Sequence, residues 1–184
     1  MIRIFAIVMG LISLLSINHA VVAAAAQKGW NEAGVRVGFQ EGSRNEYFRQ
    51  YDAFAVYGLP WEWRNDSGWG AATNLEISAG ALQGGEEIAF MAAVGPGVSI
   101  NKHGKGLALD LGISIDIIDR CRFVRQNFGG NVLFGAYMGL SYLFENGIKI
   151  GYRVVHISNG KIFYPNGTPN PGLDTHVVGV AWNF

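Results

Sequence analysis

Leu107-Ala-Leu109-Asp110-Leu111-Gly112-Ile113-Ser114-Ile115-Asp116-Ile117 is the stretch whose reading decides the fold. Large aliphatic side chains occupy every odd position, while Ala108, Asp110, Gly112, Ser114 and Asp116 hold the even ones. Successive side chains along a β-strand point to opposite faces. The segment is therefore a strand with one apolar face and one small, polar or acidic face.

The same period of two recurs almost to the end of the chain. Ala33, Val35, Val37 and Phe39 alternate with Gly34, Arg36, Gly38 and Gln40, and Trp69 to Ala79 alternate with Gly70, Asn74, Glu76 and Ser78. Ile88, Phe90, Ala92, Val94 and Val98 share a face, as do Phe134, Ala136, Met138, Leu140, Tyr142 and Phe144. Ile148, Ile150, Tyr152, Val154, His156 and Ser158 form another such set, and the chain closes on Val178, Val180, Trp182 and Phe184. The stretch from Tyr47 to Arg64 has apolar residues on both parities. It fits one long strand with Tyr51, Ala53, Ala55, Tyr57, Leu59, Trp61 and Trp63 outward and a bulge at Gly58-Leu59-Pro60. The total is eight strands of roughly ten residues or more, the signature of an all-β, eight-stranded antiparallel transmembrane β-barrel of the outer membrane.

A soluble sandwich or lipocalin-like barrel would bury the apolar face instead. Its large side chains exceed what a small lumen holds, whereas the opposite face is rich in glycine. Aromatics also stand at strand ends: Trp61, Trp63, Trp69, Tyr142, Phe144, Trp182 and Phe184. The lumen then contains Arg36, Glu76, Asp110, Asp116, Lys149 and Arg153, read as a neutralising network because buried charges need partners. An eight-stranded barrel is filled by its own side chains, so a diffusion pore is not expected.

The N-terminus agrees with export. Arg3 precedes an apolar run from Ile4 to Ile17, and Val22-Ala23-Ala24 offers small residues for cleavage. Residues 1–24 read as a cleaved signal peptide, with Ala20 and Ala25 as alternative cut sites, and 25–184 as a single barrel domain. A formal net charge of zero gives no reason to expect a nucleic-acid partner. The four histidines are scattered and the single cysteine, Cys121, reads as a loop thiol. No metal-ligand spacing or phosphate loop is visible, and no cofactor is expected.

With both termini on the periplasmic side, Glu145-Asn146-Gly147 is a tight periplasmic turn. The seventh strand then runs outward, carrying His156 and Ser158 to its extracellular end. Counting back from Val178 gives Asp174 and His176 the lipid-facing parity. One hairpin thus gathers His156, Ser158 and Asp174 on the outer wall, level with the leaflet that in Gram-negative cells is built of lipopolysaccharide. Phe134 shares that face. Serine, histidine and a carboxylate suffice for acyl transfer: the base takes the hydroxyl proton and the acid fixes the imidazole tautomer.

His156-Ile-Ser158-Asn159, followed by Asn170-Pro171-Gly172-Leu173-Asp174 and a closing aromatic strand, resembles the lipid A 3-O-deacylases of the PagL type. The resemblance covers the C-terminal 50 or so residues well, and the N-terminal strands in pattern. It implies an outer-membrane esterase that removes the 3-linked hydroxyacyl chain of lipid A without a cofactor, with lipopolysaccharide as its partner. It also implies Ser158 as nucleophile, His156 as general base, Asp174 as acid, Asn170 as oxyanion donor and Phe134 as the aromatic against the substrate. Asp174 stands where the family often has glutamate, and the loop after Ser158 is longer. That loop holds a second Pro-Asn pair, so Asn166 competes with Asn170, which is preferred because Asn-Pro-Gly immediately precedes the acid. Asn159 either organises the loop or donates its backbone N–H. Arg44, Arg49, Arg120, Arg122 and Arg125, placed in outer loops, either meet lipid A phosphates or are solvated. The alternatives are a non-enzymatic barrel serving adhesion or membrane integrity, and another lipid-modifying barrel such as a phospholipase or acyltransferase.

Overall fold

The computed structural model describes residues 28–42, 47–164 and 167–184. The expected signal peptide and its cleavage site, together with Arg44 and Asn166, lie outside the described residues. Eight antiparallel strands close into a barrel: β1 (Gly29–Gln40), β2 (Phe48–Arg64), β3 (Trp69–Gly84), β4 (Glu87–Lys102), β5 (Lys105–Ile118), β6 (Val132–Leu143), β7 (Ile148–Ser158) and β8 (Leu173–Asn183). Each strand pairs with the next, and β8 returns to β1 through Glu32↔Asn183 to Gln40↔Thr175. Closure leaves no open sheet edge, the condition for a sheet to cross hydrocarbon.

The alternating pattern decides which face looks out. Val35, Ile88, Leu107, Ile113, Met138 and Val180 are exposed on the outer wall, a surface that only a bilayer makes favourable. The molecule is an outer-membrane barrel. The aromatics Trp61, Trp63, Trp69, Tyr142, Phe144 and Trp182 are exposed beside the turns at 65–68 and 144–147 and the end of β8, forming the girdle at one membrane boundary. The expected bulge in β2 is present: pairing with β3 shifts between Gly58↔Asn74 and Glu62↔Ala72. Pro60 has no N–H for the ladder, and the two extra residues preserve parity, so Trp61 and Trp63 stay outward.

The connections differ by rim. Residues 65–68, 103–104 and 144–147 turn tightly on the side of Gly29 and Asn183, whereas 119–131 and 159–172 are long loops on the opposite side. The latter is the rim assigned to the outside.

The lumen has two zones. Toward the outer rim, Phe48, Leu82, Met91, Ile118, Leu133, Ile157, Leu173 and Val177 point inward and join Phe123 and Phe128 from the loop between β5 and β6. The three rings meet at centroid distances of 4.9, 5.5 and 6.0 Å and plug the barrel. The plug adds apolar side chains to the glycines and charges expected in the lumen. Strand counting could not see Phe123 and Phe128, because a loop has no period. Cys121 packs against this plug as a free thiol.

Below the plug lies the expected charge network. Glu76 accepts from Arg36 at 2.5 Å and from both terminal nitrogens of Arg153 at 3.0 and 2.9 Å. Arg36 also donates to Asp52 at 3.0 Å, and Lys149 to Glu32 at 2.9 Å. Tyr137 crosses this zone under the Arg153 guanidinium, 4.3 Å from its ring centre. A Cβ at Gly112 would fall 2.4 Å from the Tyr137 ring, so only glycine leaves room there. A cavity of about 330 Å³ lined by Glu32, Arg36, Glu76, Asp110, Lys149 and Arg153 occupies this zone.

Candidate active site

The register of β7 assembles the site. Ser158 pairs with Phe134 on β6, and His156 lies between Ala136 on β6 and Asp174 on β8. The pairing His156↔Asp174 brings Nδ1 of the imidazole to 2.6 Å from Oδ1 of the carboxylate. An ionised carboxylate only accepts, so Nδ1 is the donor in this pair, and in the neutral imidazole that leaves the lone pair on Nε2. Both side chains remain nearly half exposed, 42% and 46%, on the outer wall. Ser158 follows His156 by two residues on the same face. Among the described residues no three His, Cys, Asp or Glu side chains cluster as metal ligands would.

Asn159 turns inward where Ser158 turns out. It is fully buried, and its amide donates to the carbonyls of Phe128 and Pro169 at 2.8 Å each. Its Oδ1 accepts from Lys161 N–H at 3.0 Å. One side chain thereby joins the two long outer loops to the end of β7. These contacts are those of a residue that organises the loops. Its backbone N–H is taken by Asn170 Oδ1 at 3.1 Å. That bond orients the Asn170 amide, whose oxygen faces Asn159 and whose NH₂ is left as the donor end.

Residues that the motif reading passed over complete the surroundings. Gly172, at φ +67°, lies against the imidazole, where a Cβ would stand 3.1 Å from His156 Cε1. Its carbonyl accepts from Gln126 Nε2 at 3.2 Å. Phe163, a loop residue with no periodic signal, packs on Phe134 with ring centres 5.7 Å apart. Tyr164 clamps the start of β6: its hydroxyl donates to Val132 O at 3.1 Å and accepts from Val132 N–H at 3.0 Å.

Three of the expected basic residues have partners of their own. Arg49 is on β2 and not in a loop, because that strand begins at Phe48, and its guanidinium lies over Tyr47. Arg120 pairs with Glu87, and Arg122 bridges to Asn127 within its own loop.

Comparison with known proteins meets this geometry from the other direction. The family profile described as lipid A 3-O-deacylase (PagL) matches residues 49–183, from β2 to β8. Lipid A deacylase PagL of Bordetella bronchiseptica is 30% identical over 81 residues, covering 44% of this chain and 43% of that protein. Lipid A deacylase PagL of Pseudomonas aeruginosa is 26% identical over 124 residues, covering 59% of this chain and 68% of that protein. The matched region thus spans less than half of one relative and about two-thirds of the other. The crystal structure of the outer membrane enzyme PagL has the same fold, with a TM-score of 0.70, 18% identity, and coverage of 83% of this chain and 99% of that one. On the extent of the profile match, this chain belongs to the lipid A 3-O-deacylase (PagL) family.

Proposed function

We propose that this protein hydrolyses the 3-O-linked hydroxyacyl ester of lipid A in the outer leaflet, using Ser158, His156 and Asp174. The observation that carries this reading is the 2.6 Å contact between His156 Nδ1 and Asp174 Oδ1 on the lipid-facing wall, beside a serine of the same face. Charged and hydrogen-bonding groups are costly on such a surface and mark function.

Ser158 Oγ attacks the ester carbonyl carbon while His156 Nε2 takes its proton. Asp174 holds the imidazole tautomer and stabilises the imidazolium. The tetrahedral oxygen receives a hydrogen bond from the Asn170 amide, which Asn159 N–H holds by its oxygen end. The bond to the sugar 3-oxygen then breaks, and that oxygen takes the proton from His156. Water, deprotonated by the same histidine, attacks the acyl carbon; the bond to Ser158 Oγ breaks, Oγ takes that proton back from His156, and the 3-hydroxy fatty acid leaves. Phe134 and Phe163 pack the departing chain beside β6.

The direct test is to incubate the purified barrel in detergent with lipid A and to analyse the released acids by mass spectrometry. A free 3-hydroxy fatty acid, with no transfer to another lipid, is expected. Release from phospholipid instead, or none at all, would sink the proposal.

A further inference from the structure

The lipid-facing wall carries a second polar cluster that ester cleavage does not use. His176 is two residues past Asp174 on β8 and shares its outward face, between Val154 on β7 and Phe39 on β1. Its Nδ1 lies 2.6 Å from Tyr152 Oη. The Tyr152 and Phe39 rings stack alongside the imidazole, with centres 6.0 and 5.7 Å away. Glu41 Oε2 stands 3.9 Å from His176 Nε2, beyond hydrogen-bond reach. The outward residues around the cluster, Val35, Val37, Ile150, Val154, Val178 and Val180, are exposed hydrophobics. A histidine in such a surface is expensive, and neither the fold nor the ester chemistry accounts for it.

Strand tilt brings this cluster level with the ester site. Rows of paired residues slope in a tilted barrel. The row through His176 climbs by way of Phe39, Arg49 and Gln83 to Ile88, beside the outer turn between β3 and β4. In the other direction it descends through Val154 to Met138 in the middle of β6. One step from β8 to β7 therefore loses about 3 Å of height, and the two residues from Val154 up to His156 regain about 5 Å. His176 and His156 stand at nearly the same depth, on neighbouring strands.

We propose that Tyr152 and His176, with Phe39, form a second substrate subsite for the amide-linked acyl chain that neighbours the scissile ester. The inference rests on the lipid A reading above. In a glucosamine the nitrogen sits on the carbon next to the 3-oxygen, so the amide-linked and ester-linked chains descend side by side. Neighbouring strands are 4.7–4.9 Å apart, a spacing that matches adjacent chains. With the ester at Ser158 on β7, the neighbour lies over β8 and β1. In the tautomer in which Nδ1 accepts from the Tyr152 hydroxyl, the imidazole proton is on Nε2 and donates to the amide carbonyl. The faces of Phe39 and Tyr152 take its methylenes.

The experiment compares wild type with Tyr152→Phe and His176→Gln in detergent micelles. The substrates are lipid A, lipid A lacking the amide-linked chain, and a p-nitrophenyl acyl ester without sugar. For each variant the ratio of kcat/KM on lipid A to kcat/KM on the simple ester falls about tenfold, the loss of one hydrogen bond, through KM. On lipid A lacking the amide-linked chain, wild type and variants are equal. An unchanged ratio overturns the subsite, and so does a variant defect that persists without the amide-linked chain. A wild type that cleaves the simple ester but no lipid A overturns the deacylase reading itself, and the subsite with it.

Discussion

His156 depends on neighbours of two different kinds. Asp174 holds its Nδ1 electrostatically at 2.6 Å, and Gly172 bounds its ring sterically. Asp174→Asn removes the charge that stabilises the imidazolium and permits the wrong tautomer. It is expected to lower kcat by roughly 10³–10⁴, measured on lipid A in micelles. A loss below about tenfold would remove Asp174 from the mechanism. Gly172→Ala acts by geometry alone. At φ +67° an alanine is strained, and its Cβ would press on His156 Cε1 from 3.1 Å. Displacing a general base by a fraction of an ångström to an ångström is expected to cost up to about 10² in kcat with KM little changed. Heat-modifiable mobility on gels would confirm that the barrel still forms; full activity would show that the ring position is not critical.

At the scale of elements, the site stands on two loops anchored to a plug. Asn159 receives its shape from the Phe128 and Pro169 carbonyls, and the Phe128 ring is itself buried among Phe48 and Phe123. Phe128→Ala is expected to cost about 3–5 kcal/mol, read from urea unfolding of the barrel in detergent. Because Phe128 O is a partner of Asn159, activity should fall before unfolding begins. Stability loss with wild-type kinetics at low urea would contradict this coupling. These elements were unequally legible in the sequence. The outer wall was readable because hydrocarbon demands large apolar side chains at every second position, as from Leu107 to Ile117. The His156–Asp174 contact was readable because parity and a hairpin register fix which side chains meet; the role of Ser158 on the same face is part of the proposal. The plug was not, since Phe123 and Phe128 lie in a loop whose path is set by tertiary packing. Nor was the division of labour around Asn159, where only the bond to Asn170 Oδ1 shows which end of that amide remains a donor.

At the scale of the whole molecule, chemistry and membrane insertion are one arrangement. Below, charge pairs line a cavity in the lumen, and above it packed rings close the barrel, so the proposed reaction belongs to the outer wall. That wall is largely apolar, and on it the polar groups of the candidate site stand at the outer ends of β7 and β8. On the proposed function, the substrate reaches Ser158 sideways, from the leaflet, without leaving the bilayer. The most direct measurement is the mass of lipid A from a Gram-negative host expressing wild type or Ser158→Ala, both verified as folded in the outer membrane. Wild type is expected to remove one 3-hydroxyacyl chain while Ser158→Ala leaves lipid A as in the empty host. Identical spectra from the two proteins, whether both cleaved or both intact, would contradict catalysis by Ser158 on the lipid-facing wall.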